Sequence, residues 1–287
     1  MSLSLQENLF YDAHYRDIYN GYTLYYLKFK SLENKLSGIK NLILGSSHGV
    51  YGFLPNNNEF NLCFPSQDLY YALKLYEKYR FKCHNLRTIY LFYSVFSPGF
   101  ELAESNEKWR CTWYQMFFNI KSQNKSVNIL SNLLLKRLKN KINKECLNME
   151  IPLNYNGENI DLKGVGTFKY CKNYTAKKRA LDHFKNNVRS NNSHKYLIEL
   201  AKFVKDDGRT LYVVIPPMHE DFKKWLTSDK ILFNELYNLS ISEKFEILNF
   251  YSNKAFVNED FFDFDHLNSI GANKLTDLIH KYTSDSM

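Results

Sequence analysis

Five short apolar runs, separated by stretches with helical spacing, constrain the fold of this chain more than any other feature of its sequence. Each run has the length of a buried strand, and together they cover residues 40–45, 59–63, 88–95, 210–215 and 245–248. Three of them stop at clear breakers, which are Gly45, Ser97-Pro98-Gly99 and Pro216-Pro217. Buried strands that alternate with helices are typical of α/β proteins with a mostly parallel sheet.

The stretches between these runs contain recognisable helical patterns. Apolar residues recur at helical spacing in 67–79, 126–145 and 269–282, and Asn268 is placed to cap the last of these helices. We therefore predict an α/β fold with a mostly parallel five-stranded sheet.

Positive charge is concentrated in one part of the chain. The 287 residues have a net charge of +8, yet residues 121–190 alone hold 15 Lys and Arg against 5 Asp and Glu, a net charge of +10. The remaining residues hold 23 basic against 25 acidic side chains, a net charge of −2. An acidic partner is therefore expected at this stretch, whereas nucleic acid is not, because no recognised binding motif accompanies the basic residues.

The same charge pattern suggests a domain organisation. We predict an N-terminal helical segment over 1–38, an α/β domain formed by 39–120 and 205–287, and a basic, largely helical insertion over 121–204.

Cysteine usage and targeting signals indicate a cytoplasmic protein. The five cysteines are odd in number, widely spaced and without a C-x-x-C pair, which favours reduced thiols over a disulfide framework or a zinc site. They are Cys63, Cys83, Cys111, Cys146 and Cys171. Residues 1–17 show no signal-peptide pattern, and no apolar run approaches the ~20 residues that span a bilayer, so no transmembrane segment is expected.

The carboxyl ends of the predicted strands are the first place to look for chemistry, because open parallel sheets bind their ligands there. Ser46, Ser47 and His48 follow the first run. A serine in such a turn lies near a helix N-terminus, whose backbone N–H groups can stabilise an oxyanion. The polar candidates after the later runs are Ser66, Ser94, Ser97 and His219.

A second motif, Asp263-Phe264-Asp265-His266-Leu267-Asn268, directly precedes the predicted C-terminal helix. An aspartate three residues before a histidine in a turn can bond the imidazole and fix its tautomer, which leaves the other ring nitrogen free to act as a base toward a serine. Asp265 is a second candidate for orienting His266, although the spacing favours Asp263. Taken alone, the motif is equally consistent with a capping turn and a solvated histidine.

Together the two motifs resemble the SGNH (GDSL-like) hydrolase superfamily. Gly45-Ser46-Ser47 stands where that superfamily has Gly-Asp-Ser, and Asp263 and His266 match its Asp-x-x-His. Ile215-Pro216-Pro217 is similar to the end of the fourth strand in bacterial relatives that modify cell-surface polymers. The resemblance covers residues 40–120 and 205–284, and it implies a three-layer, flavodoxin-like sandwich with Ser47, His266 and Asp263 as the catalytic residues.

The chain departs from the superfamily pattern at three places. Ser46 replaces the aspartate before the nucleophile, and Ser66 stands near a glycine that usually supplies an oxyanion N–H. The third block, normally Gly-x-Asn-Asp, reads Tyr-Ser-Val-Phe-Ser at 93–97, so the oxyanion asparagine is missing. Loss of one oxyanion donor costs about 10²–10³ in turnover. Candidate substitutes or substrate contacts are Ser94, Ser97, His219 and Asp265; the histidines interpreted as structural are His14, His84, His183, His194 and His280.

Three functional hypotheses follow. The first is a serine-dependent esterase or O-acyltransferase that handles acyl esters, chiefly acetyl, of a carbohydrate such as a bacterial surface polysaccharide. No cofactor is expected, although acetyl-CoA would serve a transferase as acyl donor. The second is a metal-dependent glycosyltransferase in which Asp263-x-Asp265 binds a divalent cation. The third is a non-catalytic glycan-binding protein on the same fold, motivated by the missing asparagine.

Overall fold

The five predicted runs form five strands of one sheet in a computed structural model that describes residues 21–159, 175–185 and 193–284. The strands are β1 (Asn41–Gly45), β2 (Glu59–Asn61), β3 (Thr88–Phe92), β4 (Thr210–Ile215) and β5 (Glu246–Asn249). All neighbours pair in parallel in the order β2-β1-β3-β4-β5. This is the flavodoxin-like strand order, and the predicted fold class is confirmed.

The described residues also form helices. They are α1 (21–35), α2 (Ser47–Gly52), α3 (Leu69–Tyr79), α4 (Cys111–Phe118), α5 (Lys125–Leu147), α6 (Ala176–Lys185), α7 (Ser193–Asp206), α8 (Glu220–Lys223), α9 (Asp229–Leu232), α10 (Asn234–Glu243) and α11 (Ser269–Ser284). Short 3₁₀ helices span Leu36–Gly38, Leu102–Glu104, Lys108–Arg110 and Asn258–Asp260. The three predicted helical patterns correspond to α3, α5 and α11; residues 1–20 of the predicted N-terminal helical segment lie outside the described residues.

One face of the sheet packs against α2 and α11. Alternate strand residues such as Ile43, Phe92 and Val214 form a buried cluster with Phe53, directly after α2, and Leu275 of α11. The helices directly before β3, β4 and β5 are α3, α7 and α10. They contact β1, β4 and β5, respectively, and α7 also packs against both α3 and α10. Because parallel crossovers are right-handed and the direction in which strands are added reverses after β2, these helices cover the opposite face.

Contacts divide the chain into two compact units. The smaller unit joins Leu102–Leu153 to the N-terminal residues up to Asn34, and in it the Tyr22 hydroxyl donates to Glu145 Oε2 at 2.6 Å. The larger unit, Lys35–Glu101 and Asn154–Met287, contains the whole sheet. This grouping places residues 102–120 with α5, whereas the boundaries drawn from the sequence place them in the α/β domain. The domain boundaries drawn from the sequence stay a prediction.

The thiols are as expected over the described part of the chain. Four of the cysteines are buried thiols that are not part of a disulfide, namely Cys63, Cys83, Cys111 and Cys146, while Cys171 lies outside the described residues. None of the helices within 21–159, 175–185 and 193–284 is both long and apolar enough to cross a bilayer.

Candidate active site

Ser47 lies at the turn where β1 ends and α2 begins. Gly45 makes this turn with a φ of 127°, and a Cβ at that position would stand 2.6 Å from the Phe92 carbonyl oxygen, so both backbone and space call for glycine. Ser46 and His48 are buried on either side, whereas Ser47, the first residue of α2, is partly exposed. The Ser47 hydroxyl is therefore accessible at the carboxyl edge of the sheet.

The loop after β2 is bonded to this turn. The Phe64 N–H donates to the Gly45 carbonyl at 3.1 Å, and the buried Gln67 side chain accepts from the Gly45 N–H at 2.7 Å and donates to the Leu62 carbonyl at 3.2 Å. Ser66, partly exposed with a φ of 57°, belongs to this loop. Gln67 thus joins the ends of two strands, and nothing in the sequence pattern singled it out.

Asp263 shapes the loop that carries His266. Asp263 Oδ1 accepts the backbone N–H groups of Asp265 at 3.0 Å and His266 at 2.8 Å. The His266 carbonyl accepts from the Phe262 N–H at 2.9 Å, which closes the loop on itself. Asn268 then caps α11, because its Oδ1 accepts from the N–H groups of Ile270 and Gly271 at 3.0 and 3.1 Å, as the sequence predicts.

The structure brings Ser47, His266 and Asp263 into one line of hydrogen bonds. His266 Nε2 lies 2.8 Å from Ser47 Oγ, and His266 Nδ1 lies 2.9 Å from Asp263 Oδ2. The imidazole contacts the rings of Tyr51 and His48, with centroids 4.9 and 5.2 Å away. An imidazole bonded to a carboxylate on one side and to a hydroxyl on the other is placed to move a proton from that hydroxyl.

Asp265, which the sequence offers both as a second orienting residue for His266 and as a substrate contact, lies beside His266. Its side chain is only 1% exposed, so it faces the protein interior rather than a substrate. Arg179 donates to it through Nε at 3.0 Å and Nη2 at 2.9 Å, and His183 Nε2 lies 2.9 Å from Oδ2. Its other oxygen stands 3.6 Å from His266 Nδ1. We call Asp265, Arg179 and His183 the Asp265 cluster.

Sequence reasoning missed the Asp265 cluster. His183 is interpreted from sequence as structural, and Arg179 only as part of a basic run. The available signal is their spacing, since residues four apart on a helix share one face, and both lie on α6. What the spacing could not show is that this face meets the loop of Asp265.

The carboxylates around His266 counteract the effect of burial on its pKa. Burial disfavours the imidazolium, but the carboxylates of Asp265 and then Asp263 outweigh that effect, so the pKa of His266 is raised above its ordinary value. Burial likewise opposes ionisation of Asp265, but the charges of His266 and Arg179 and the hydrogen bond from His183 hold its pKa well below the usual range. The cluster therefore keeps an ionised carboxylate beside the histidine.

His48 is a buried, neutral neighbour of the site. Burial and the charge on His266 hold the pKa of His48 well below its ordinary value. Its Nδ1 lies 3.2 Å from Ser46 Oγ, and its Nε2, without a hydrogen-bond partner in the described part of the chain, lies 3.7 Å from Asp265 Oδ2. The ring of Phe96 contacts both His48 and His183, at centroid distances of 5.6 and 5.1 Å.

The arrangement does not fit the metal site of the second hypothesis. Donor atoms of His48, Asp265 and His266 do lie within 4.8 Å of one another, which is close enough for a shared cation. The Asp265 carboxylate, however, is already held by Arg179, and the Asp263 carboxylate is already bonded to His266. A divalent cation at the Asp-x-Asp motif would have to displace a guanidinium and an imidazole.

The remaining predicted site residues have local partners. Ser97 Oγ accepts the Ser94 N–H at 3.0 Å, and both serines are buried in the turn after β3. His219 is also buried; its Nδ1 accepts the Asp221 N–H at 3.1 Å and so begins α8, and burial lowers its pKa. These bonds shape loops at the carboxyl edge, and the assignment of these residues to oxyanion or substrate contacts stays a prediction.

The comparisons with known proteins concern the fold. No protein-family model and no curated protein matches the chain. Among solved structures, it is similar to a protein from Bacteroides fragilis that is described as a "putative acylhydrolase", with 10% sequence identity and a TM-score of 0.40 over 86% of this chain and 87% of that chain. A likeness at this level adds nothing about chemistry, so the function has to be argued from the geometry of the site.

Proposed function

We propose that this protein is a serine-dependent acyl-ester hydrolase or O-acyltransferase of the SGNH type. The observation that carries the proposal is the line of bonds from Ser47 Oγ to His266 Nε2 at 2.8 Å and from His266 Nδ1 to Asp263 at 2.9 Å. Two loops separated by more than 200 residues in sequence supply these groups at one edge of the sheet. The roles are those of a nucleophile, a general base and a residue that orients the base.

The proposed reaction has two halves. Ser47 Oγ attacks the ester carbonyl carbon while its proton moves to His266 Nε2, and the C–O bond then breaks as His266 returns that proton to the leaving alkoxide. In the second half, water or a sugar hydroxyl gives its proton to His266 as it attacks the acyl group on Ser47. The bond between the acyl carbon and Ser47 Oγ then breaks, and His266 returns the proton to Oγ, which frees the serine. Water makes the enzyme an esterase, and a sugar hydroxyl makes it a transferase. Acetyl-CoA is the proposed acyl donor of the transferase, and with this thioester the C–S bond breaks in the first half and the proton of His266 goes to the leaving thiolate.

The oxyanion of the tetrahedral intermediate needs N–H donors close to Ser47. We assign this role to the backbone N–H groups of Ser47 and Ser66. The bonds that tie the Ser66 loop to Gly45 support the assignment, because they hold that loop against the turn of the nucleophile. Ser94 and Ser97, bonded to each other, are the weaker candidates.

The proposed substrate is an O-acyl, chiefly O-acetyl, carbohydrate. Next to His266, the partly exposed rings of Tyr51 and Phe262 stack with centroids 6.2 Å apart, and aromatic surfaces of this kind suit the apolar faces of sugar rings. In the smaller unit, α5 carries a run of exposed cations and no acidic residue between 125 and 144. These cations are Lys125, Lys136, Arg137, Lys139, Lys141 and Lys144, and they suit an acidic glycan.

The test uses the purified chain, p-nitrophenyl acetate and a fluorophosphonate probe. We expect labelling at Ser47, and we expect Ser47→Ala to abolish labelling and to lower kcat/KM for hydrolysis by about 10⁴-fold or more. Ser240→Ala is the matched control, since Ser240 lies on α10 and bonds only locally to the Tyr237 carbonyl at 2.8 Å. A Ser47→Ala protein that hydrolyses the ester normally would refute the proposal.

A second assay separates the two reactions. With acetyl-CoA as donor and an acidic polysaccharide as acceptor, transfer of the acetyl group to the polymer identifies a transferase. Release of acetate from an O-acetylated polysaccharide identifies an esterase. A folded protein that binds the polysaccharide but neither reacts with the probe nor performs either reaction would favour the non-catalytic alternative.

A further inference from the structure

The Asp265 cluster connects a helix of the basic stretch to the proposed general base. We propose that Asp265 is a positioning residue for the acyl-transfer reaction, and that Arg179 and His183 hold its ionised carboxylate beside the imidazole of His266. The catalytic consequence rests on the proposed function, whereas the effect on His266 itself does not.

Burial of the Asp265 carboxylate has a free-energy cost that its partners must offset. A carboxylate that is 1% exposed is destabilised unless cations and hydrogen bonds replace its water. Arg179 supplies two N–H donors and His183 supplies a third contact, and these residues are 86 and 82 positions away in sequence. Such a pair could be replaced by apolar side chains if packing were its only role.

Contacts with two aromatic rings hold α6 in place. The His183 ring meets the ring of Phe222 edge to face at a centroid distance of 5.8 Å, and Lys177 Nζ lies 4.8 Å from the centre of the Trp225 ring. Both aromatic residues belong to α8 or to the turn directly after it. These contacts therefore hold α6 against α8 at two points, with Arg179 and His183 facing Asp265.

The carboxylates of Asp263 and Asp265 act on His266 in different ways. Asp263, with a side chain 35% exposed, accepts the hydrogen bond from His266 Nδ1 and so fixes the tautomer. Asp265 stands 3.6 Å from the same nitrogen and acts on it through charge alone. Because Asp265 is removed from water, its field is screened less than that of Asp263.

The charged neighbours of His266 shift its pKa in opposite directions. Asp263 and Asp265 favour the imidazolium of His266, while Arg179 disfavours it; His183 touches Asp265, and His48 is held neutral. Removing the charge of Asp265 should therefore lower the pKa of His266, and removing the charge of Arg179 should raise it. A role limited to packing would not move the pKa in opposite directions.

The experiment is an NMR titration of the full chain with ¹³C-labelled histidine, in which His266→Gln identifies the signal of His266. We expect Asp265→Asn to lower the titration midpoint of His266 by about one pH unit and Arg179→Met to raise it by a smaller amount. Asp207→Asn is the matched control, because Asp207 is also a buried aspartate paired with arginine, at the other edge of the sheet. Unchanged midpoints in both site variants, or shifts of the same sign, would overturn the inference.

The same variants show whether the shift reaches the chemistry. The general base must be neutral, so kcat/KM falls as pH drops through the pKa of His266. The acid limb of the profile should move down in Asp265→Asn and up in Arg179→Met. Opposite NMR shifts together with an active Ser47→Ala protein would refute the proposed function and leave the positioning of His266 standing. An inactive Ser47→Ala protein with unmoved midpoints would refute only the present inference.

Discussion

Asp265 and Asp207 show how one ionic arrangement serves two purposes at opposite edges of a sheet. Both side chains are buried, at 1% and 8% exposure, and both are bonded to arginine. Asp207 precedes β4, and its partners are Arg80, Arg209 and the Tyr76 hydroxyl, none of which is a histidine. Asp265 instead lies in a loop at the carboxyl edge of the sheet, beside His266. The charge of Asp265 is therefore coupled to a titrating group.

This difference shows that the location of a buried ion pair decides its consequence. At the amino-terminal edge the pair stabilises the junction of α3, α7 and β4. At the carboxyl edge a pair of the same kind sets the protonation of a histidine bonded to a serine. The following predictions test this contrast, from the largest expected effect to the smallest.

The largest effect is expected at Asp263. Asp263→Asn should lower kcat/KM for p-nitrophenyl acetate by about 10⁴-fold, because an amide at this position favours the wrong tautomer of His266. Steady-state kinetics checks the loss, and circular dichroism checks that the variant is folded. A loss of less than tenfold would mean that Asp265, rather than Asp263, is the carboxylate on which His266 depends.

The second effect concerns the stability of the opposite edge. Asp207→Asn should reduce the free energy of unfolding by about 3–5 kcal/mol, because it leaves two largely buried arginines without their carboxylate. Urea denaturation measures the change. The kcat/KM of the protein that remains folded, and its pH profile, should equal those of the unchanged chain. A shifted pH profile would break the contrast between the two edges.

A titrating pair at the amino-terminal edge gives a smaller, pH-dependent effect. His280 Nε2 lies 2.9 Å from Glu59 Oε1 at the start of β2. The hydrogen bond that His280 donates to Glu59 outweighs burial and raises the pKa of His280. Burial of Glu59 is outweighed by bonds from His280, the Asn56 N–H and Asn41, which lower the pKa of Glu59.

The pair should therefore stabilise the fold within a limited pH window. Its contribution is complete between about pH 4.5 and 6.5, since the unfolded glutamate is ionised and the unfolded histidine is still protonated there. It is lost above that range as His280 deprotonates and below it as Glu59 takes up a proton. His280→Gln should cost about 0.5–1 kcal/mol inside the window, after allowance for the exposure of His280, and less outside it. Urea midpoints at several pH values measure the difference; a cost independent of pH would contradict the assignment.

The smallest effect is expected for the exposed cations of α5. Replacing Lys136, Arg137 and Lys139 by Gln should leave the thermal midpoint and the hydrolysis of p-nitrophenyl acetate unchanged, because these side chains are exposed. Binding to an acidic polysaccharide should weaken and lose part of its salt dependence. Arg179 belongs to the same basic stretch, yet its replacement should alter His266. Equal behaviour of the two sets would mean that the basic stretch acts as one surface.

Much of the fold could be predicted from local pattern. The apolar runs that end at Gly45, at Pro98 and at Pro216 became β1, β3 and β4, because buried strands need continuous apolar residues and breakers end them. Asn268 was recognisable as a cap for the same kind of reason, since the orphan N–H groups of a helix require a side-chain acceptor close in sequence. The domain boundaries stay a prediction, because charge composition does not report which helices pack together.

The sequence by itself determined a parallel α/β sheet and the three residues, Ser47, Asp263 and His266, that two short motifs single out. Both depend on local spacing, which a chain displays in one dimension. Only the tertiary structure decided that Arg179 and His183 hold Asp265 and that Asp265 faces His266 rather than a substrate. Buried charges pair with residues that are distant in sequence and follow no periodic spacing. Partners 86 residues apart can therefore be recognised only in the folded structure, where burial removes their water.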